Sequence, residues 1–409
     1  MSNQVRKFTL ANGLRVVCEP VDYVQSVAIG IWCQTGSRLE TPTEAGISHL
    51  IEHMLFKGTG KRTAKEIAES IEGRGGHLNA FTDREQTCYY ARVLSDDLHN
   101  AVDVLSDMYL NSLMTQKDVE LEKGVVQEEI RKYEDSPEEH VHDLHARHRW
   151  GDHPLGRPII GSHESVGSFR PDDLRDYMKR RYVAAKTVVA AAGNLDPDQL
   201  KSVCEQELGG LEGDFNLPNA SPPTAATGDE RISKDAEQVH FCIGGDSVTI
   251  YDDRRYASGL LDAMLGGSMS SRLFQEIREK RGLAYAIGTY QTLYREAGAF
   301  TIYGGTSPAT YEQVLGLVHE EIKKVREAPV PGPELERAKR MAIGGIVMAL
   351  EGMSGRMRRI ASNEITHGRH IPVEQTIESL NAVTPGQVQD IANEFLDPEK
   401  LATTAIGPF

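Results

Sequence analysis

The chain has 409 residues, 39% of them hydrophobic and 26% charged, enough to bury two or three domain cores. No apolar run reaches the roughly 18 to 20 residues of a membrane span, which excludes an integral membrane protein of the helical kind. A net charge of −15 argues against a nucleic-acid-binding surface, which needs clustered Lys and Arg.

The chain begins MSNQVRKFTL, without the apolar core of a secretory signal, and the reading is a cytoplasmic protein. Cys18, Cys33, Cys88, Cys204 and Cys242 are odd in number, scattered and free of C-x-x-C spacing, which predicts reduced, buried thiols. SVAIGIWCQTGS at 26–37 reads as a strand with its turn, and TCYYARV at 87–93 as another.

Between them lies GISHLIEHMLFKGT at 46–59. Ile47, Leu50, Ile51, Met54 and Leu55 recur at helical spacing, so His49 and His53, four apart, share one face and can aim ring nitrogens at one ion. Glu52 stands three past His49 and next to His53, beside the metal without displacing a ligand. H-x-x-E-H is the inverzincin order, in which zinc makes its water acidic and the carboxylate takes the proton. Manganese or cobalt would suit the same donors.

Zinc in a catalytic site usually takes a third protein ligand. TQKDVELEKGVVQEEIRKYED at 115–135 reads as a long helix opened by a Thr115–Asp118 capping box. Glu122 and Glu129 lie two turns apart on one face of it, near the side marked as buried by Val125, Val126 and Ile130. Helical geometry does not choose between Glu129 and its neighbour Glu128. Downstream, HVHDLHARHRWGDH carries His140, His142, His145, His148 and His153, a composition that can bind metals.

Leu211 to Gln238 is poor in large apolar residues and rich in Pro, Ala, Thr, Asn and Asp, the composition of a linker. The segments on either side resemble each other. Met54-Leu55 and Met264-Leu265 correspond at a separation of 210 residues, and the strands near Tyr89 and Phe300 at 211. This predicts a duplicated α/β unit, each copy a mostly antiparallel sheet with helices packed on one face. Expected boundaries are a catalytic zinc-binding domain at 1–212, a linker at 213–237 and a metal-free substrate-binding domain at 238–409. At the same separation, His49, Glu52 and His53 fall on Gly259, Asp262 and Ala263, so the second half lacks the metal set.

GISHLIEHMLFKGT, GGHLNAFTDREQTCYY at 75–90, ELEKGVVQEEI at 120–130, HPLGRPIIG at 153–161 and SSRLFQEIREKRGLAYAI at 270–287, taken together, resemble the pitrilysin superfamily. The likeness is nearest to its short branch with the mitochondrial processing peptidase β subunit. The resemblance implies a zinc endopeptidase with one zinc per chain, acting on short or unfolded peptides in a chamber between subunits. It maps the third ligand onto Glu129 and an acidic residue behind the ligands onto Glu122. It implies that substrate adds as a strand along Asn79, Ala80, Phe81 and Thr82, and that Arg278 and Tyr285 contact it near the zinc. In that family the His-rich stretch is a plain helix. In single-chain relatives the Arg/Tyr pair comes from the half opposite the zinc, so a homodimer with sites completed in trans is expected. The alternatives are a subunit active only with a different partner chain and a non-catalytic assembly subunit.

Overall fold

The computed structural model describes residues 4–217 and 221–409, so residues 218–220 of the expected linker lie outside the described part. Among the described residues, eleven strands form two sheets. The first contains β1 (Arg6–Thr9), β2 (Arg15–Pro20), β3 (Ser26–Cys33), β4 (His77–Thr82), β5 (Thr87–Leu94) and β6 (Thr187–Gly193), in the order β1-β2-β6-β3-β5-β4. The second contains β7 (Gly228–Ser233), β8 (Val239–Asp246), β9 (Ala284–Leu293), β10 (Gly298–Thr306) and β11 (Ala402–Gly407), in the order β7-β11-β8-β10-β9.

Without β1, the two strand orders are the same. Each sheet has one parallel pair in the same place, β2 with β6 and β7 with β11, and is antiparallel elsewhere. The helix Ile47–Leu55 follows β3 as Arg255–Leu265 follows β8. A shared order of five strands, including the crossover that makes the parallel pair, is the outcome a duplicated α/β unit predicts. The fold is α+β with two such units.

The units interleave along the sequence. The first gathers Met1–Ile130, Pro158–Pro218 and Val347–Ile371; the second gathers Arg131–Arg157, Asn219–Ile346 and Pro372–Phe409. In the first unit the main helical layer packs against alternate strand residues, among them Val16, Val27, Ile29, Ile31, Tyr89, Ala91 and Val189, together with Leu50, Ile51, Met54, Leu105 and Val126. The residues between them point to the other face, where Val17, Ala28, Trp32, Cys88, Val188, Ala190 and Ala192 meet Met353, Met357, Ile360 and Ala361 of the helix Met353–His367. The second unit repeats this pattern. Phe241, Ile243, Phe300, Ile302 and Ala405 face the main helical layer, while Cys242 and Ile406 face Val141 of the helix Pro137–Trp150.

β7 lies inside the stretch expected as a linker. Its sequence, GDERIS, is exposed at five of six positions because it is an edge strand held by backbone pairing to β11, so it carries no apolar alternation to announce it. All five cysteines are free and buried. Among the described residues, no helix is long and apolar enough to cross a membrane.

Candidate metal centre

The helix Ile47–Leu55 is fixed before it presents any functional group. Ile47, Leu50, Ile51, Met54 and Leu55 are all buried, which sets its rotation. Its amino end starts at Gly46, with φ of +91°, a conformation favoured for glycine. A Cβ there would come within 2.6 Å of the Ile160 carbonyl oxygen. Two of the free amides at that end are taken by Glu40, whose carboxylate accepts from Gly46 at 2.8 Å and Ser48 at 2.9 Å. The helix Gln116–Asp135 starts as the sequence predicts, with the Asp118 amide 3.1 Å from Thr115 Oγ1. Val119, Glu122, Val126 and Ile130 are its buried residues, whereas Val125, expected on the buried side, is exposed.

These two helices bring His49, His53 and Glu129 together, one donor atom of each lying within 4.8 Å of the others. Glu129 Oε2 is 3.8 Å from His49 Nε2 and 3.9 Å from His53 Nε2. Those separations are too long for hydrogen bonds. They are close to the roughly 3.4 Å between neighbouring donors around a tetrahedral ion with bonds near 2.1 Å. Two imidazole nitrogens and a carboxylate oxygen form a donor set suited to zinc, so the residues present fit the ion. Among the described residues no other group of three such donors converges.

The electrostatics keep the donors available. Burial, helped by the neighbouring His53, holds the His49 pKa down to about 4, so its ring stays neutral. His53 Nδ1 lies 3.1 Å from Glu122 Oε2, and Lys57 Nζ lies 2.6 Å from Glu122 Oε1. Glu52 Oε2 accepts from Thr82 Oγ1 at 2.5 Å. Burial pushes the Glu52 pKa up, with Glu129 adding to it, while the Thr82 hydroxyl and His53 oppose the rise. Such a carboxylate is a better proton acceptor near neutrality than an exposed one.

Asn79, Ala80, Phe81 and Thr82 lie on β4, the terminal strand of the first sheet, which pairs only with β5 among the described strands. Arg278 and Tyr285 belong to the second unit. Arg278 Nη1 donates to the Tyr285 carbonyl at 2.9 Å, its guanidinium lies 4.6 Å from the Tyr285 ring centroid, and Tyr285 is 78% exposed. The His-rich tract is the helix Pro137–Trp150. There His145 and His148 both reach Thr404 Oγ1, at 3.0 and 2.9 Å, and His142 reaches the Tyr290 hydroxyl at 2.9 Å.

Lys57 and the hydroxyl of Thr82 are two members of this neighbourhood that sequence reasoning did not single out in these places. Lys57 had one usable signal, its spacing of four from His53. The contact from Thr82 to Glu52 depends on tertiary structure alone.

The donor set and the two helices that carry it suit a metal-dependent hydrolase. A sequence model described as Insulinase (Peptidase family M16) matches residues 15–163, and one described as Peptidase M16 inactive domain matches residues 168–342. The chain belongs to peptidase family M16, within the pitrilysin superfamily. It is 40% identical over 404 residues to Uncharacterized zinc protease YmxG of Bacillus subtilis, covering 99% of this chain and 98% of that one. An uncharacterized zinc protease of Streptomyces coelicolor is 40% identical over 415 residues, covering 99% and 90%. Two crystal structures share the fold. One is described as peptidase M16 inactive domain from Pseudomonas fluorescens, with a TM-score of 0.93, 20% identity and coverage of 99% and 98%. The other is a protease from Helicobacter pylori, with a TM-score of 0.92, 19% identity and coverage of 99% and 100%. Family membership and the zinc-protease relatives support a metallopeptidase.

Proposed function

We propose that the chain is a zinc endopeptidase for short or unfolded peptides, with one zinc per chain held by His49, His53 and Glu129. The observation that carries this reading is the convergence of those three donors beside the hydroxyl-bonded carboxylate of Glu52. Bound zinc would supply Lewis acidity toward water and the peptide carbonyl. Glu52 accepts the proton of the attacking water and passes it to the leaving nitrogen. Glu122 accepts a hydrogen bond from His53 Nδ1–H and holds that ring in the tautomer whose Nε2 is free to ligate. An extended peptide pairs with the main chain of β4 along Asn79, Ala80, Phe81 and Thr82, which reads backbone before side chains. Arg278 and Tyr285 donate to the oxyanion that forms as the amide is attacked.

In this reading the first unit, most of residues 1–212 together with 347–371, supplies the catalytic part, and the second unit, most of 238–409 together with β7 and 131–157, the metal-free substrate-binding part, and the protein works in the cytoplasm, where its thiols stay reduced. The active form is a homodimer enclosing a chamber. One chain holds one donor set and one Arg278–Tyr285 pair, so two copies related by a twofold axis supply each site with both.

The test has two parts. His53→Ala and Glu129→Gln are expected to lose most of their zinc, measured by elemental analysis; full occupancy in both would overturn the ligand assignment. A Glu52→Gln chain mixed with an Arg278→Ala, Tyr285→Phe chain is expected to regain peptidase activity that neither shows alone. No recovery in mixed dimers verified by mass spectrometry would overturn the trans arrangement.

A further inference from the structure

We propose that Lys57 is a positioning residue for the metal, holding the buried Glu122 carboxylate so that its second oxygen fixes the His53 ring. The inference rests on the reading of His53 as a ligand. It begins with burial. Glu122 is 2% exposed, and a carboxylate so enclosed needs a partner for each oxygen. Both partners come from the segment that carries the histidines. His53 Nδ1 takes Oε2 at 3.1 Å, and Lys57 Nζ takes Oε1 at 2.6 Å. Lys57 lies four residues past His53, just beyond the end of the helix, with its amide 3.1 Å from the Met54 carbonyl. Its side chain is 33% exposed, so the ammonium remains partly hydrated while it reaches the buried acid.

The contact also joins two helices. Glu122 stands two turns before Glu129 on the helix Gln116–Asp135. The Lys57–Glu122–His53 bridge therefore ties the helix bearing two proposed ligands to the helix bearing the third. The histidines differ in how they are held. His49 Nδ1 is buried with no hydrogen-bond partner among the described residues, so no hydrogen bond at that nitrogen orients the ring. His53 is the more exposed of the two, with side-chain exposure of 24% against 12%. Its orientation depends on Glu122, and the orientation of Glu122 depends on Lys57. A carboxylate that had lost its ammonium partner would be free to turn, and Oε2 would no longer be held on Nδ1. Groups that orient a ligating histidine are worth about 10- to 100-fold in metal affinity.

The experiment measures zinc affinity of the full chain by competition with a chromogenic chelator, alongside kcat and KM on a peptide. Lys57→Met is expected to weaken zinc binding by about 10- to 100-fold, with KM unchanged and with kcat recovering at saturating zinc. Lys57→Arg is expected to restore affinity to within a few-fold, because it returns a cationic donor. In a Lys57→Met, Glu122→Gln double variant the two losses should not add, since both act on one contact. Should Lys57→Met fail to fold, Lys57→Gln, which keeps a donor without the charge, answers the same question through affinity. Zinc binding in Lys57→Met equal to the parent would overturn the proposal. So would tighter binding, which would mean that the ammonium chiefly repels the cation. His53→Ala is the control: if it binds zinc like the parent, the ligand reading fails, and the role of Lys57 fails with it.

Discussion

Replacing Glu52 with Gln isolates the proton step from metal binding. The side chain keeps its length, and its amide oxygen can still accept from Thr82 Oγ1, which stands 2.5 Å from the native carboxylate. Glu52 is not one of the three converging donors, so zinc content should match that of the parent. What is lost is a proton acceptor whose pKa burial has raised. General-base catalysis contributes roughly 10²- to 10⁴-fold, or about 2.7 to 5.4 kcal/mol of barrier. The expected result is a fall of that size in kcat with KM within about threefold, since the proposed main-chain pairing of substrate with β4 would not use the carboxylate. A quenched fluorescent peptide reports turnover, elemental analysis reports zinc, and thermal melting reports folding. Turnover near that of the parent, in protein shown to hold zinc, would remove Glu52 from the base role.

Two further outcomes follow from the packing. Burial, and then Arg149, His148 and His142, hold the His145 pKa well below its ordinary value. The unfolded chain therefore binds more protons than the folded one below about pH 6.5, and stability should fall as pH drops through that value, by up to about 1.4 kcal/mol per pH unit for this group. Chemical unfolding at pH 7.5 and pH 5.5 checks the slope, and His145→Gln should flatten it; an unchanged slope would place the acid sensitivity elsewhere. Met357→Ala empties a fully buried position under the first sheet and should cost about 2 to 5 kcal/mol without changing zinc content, as read by denaturation and elemental analysis.

The sequence announces those features that depend on local periodicity. The pairing of His49 with His53 follows from four-residue spacing on an amphipathic helix, and the buried Val119, Val126 and Ile130 define the side of the second helix from which Glu122 and Glu129 project. Helical periodicity does not separate Glu129 from Glu128, because that takes the crossing of two helices; the family resemblance is what points to Glu129 in the sequence. The contacts of Glu40 with the helix start, Thr82 with Glu52 and Lys57 with Glu122 are polar and span 6 to 65 residues of sequence, leaving no periodic trace. β7 is polar because it is an edge. The second helical layer is not read from the sequence, which predicts helices on one face of each sheet, although one strand carries a signal of it. TVVAAAG at Thr187–Gly193 has no polar alternation and is buried at every position, the pattern of a strand covered on both faces. What the pattern could not say is that its cover arrives more than 150 residues later.

That late cover decides whether residues 1–212 can stand alone. In the full chain, Val17, Ala28, Trp32, Cys88, Val188, Ala190 and Ala192 are each no more than 2% exposed beneath Met353, Met357, Ile360 and Ala361. Polar contacts at the rim fix the same helix: Glu364 meets Lys7 at 2.9 Å and Arg15 at 3.0 Å, and Arg356 meets Glu19. A fragment ending at residue 212 would present that apolar face to water as one contiguous patch of several hundred Å², at or above the size that monomeric proteins tolerate. The helix Met353–His367 cannot hold its own structure in isolation, because fifteen residues are marginal without a packed face. The expected behaviour of the fragment is self-association, binding of a hydrophobic dye and loss of a cooperative melt, with its histidines and Glu129 all present in the sequence. Adding a peptide of residues 347–371 in excess should reduce dye binding and restore cooperativity in a concentration-dependent way. A peptide with Met357→Ala and Ile360→Ala should do so poorly. A fragment that is monomeric, melts cooperatively and ignores the peptide would show that the second face of the sheet contributes little to the stability of the first unit.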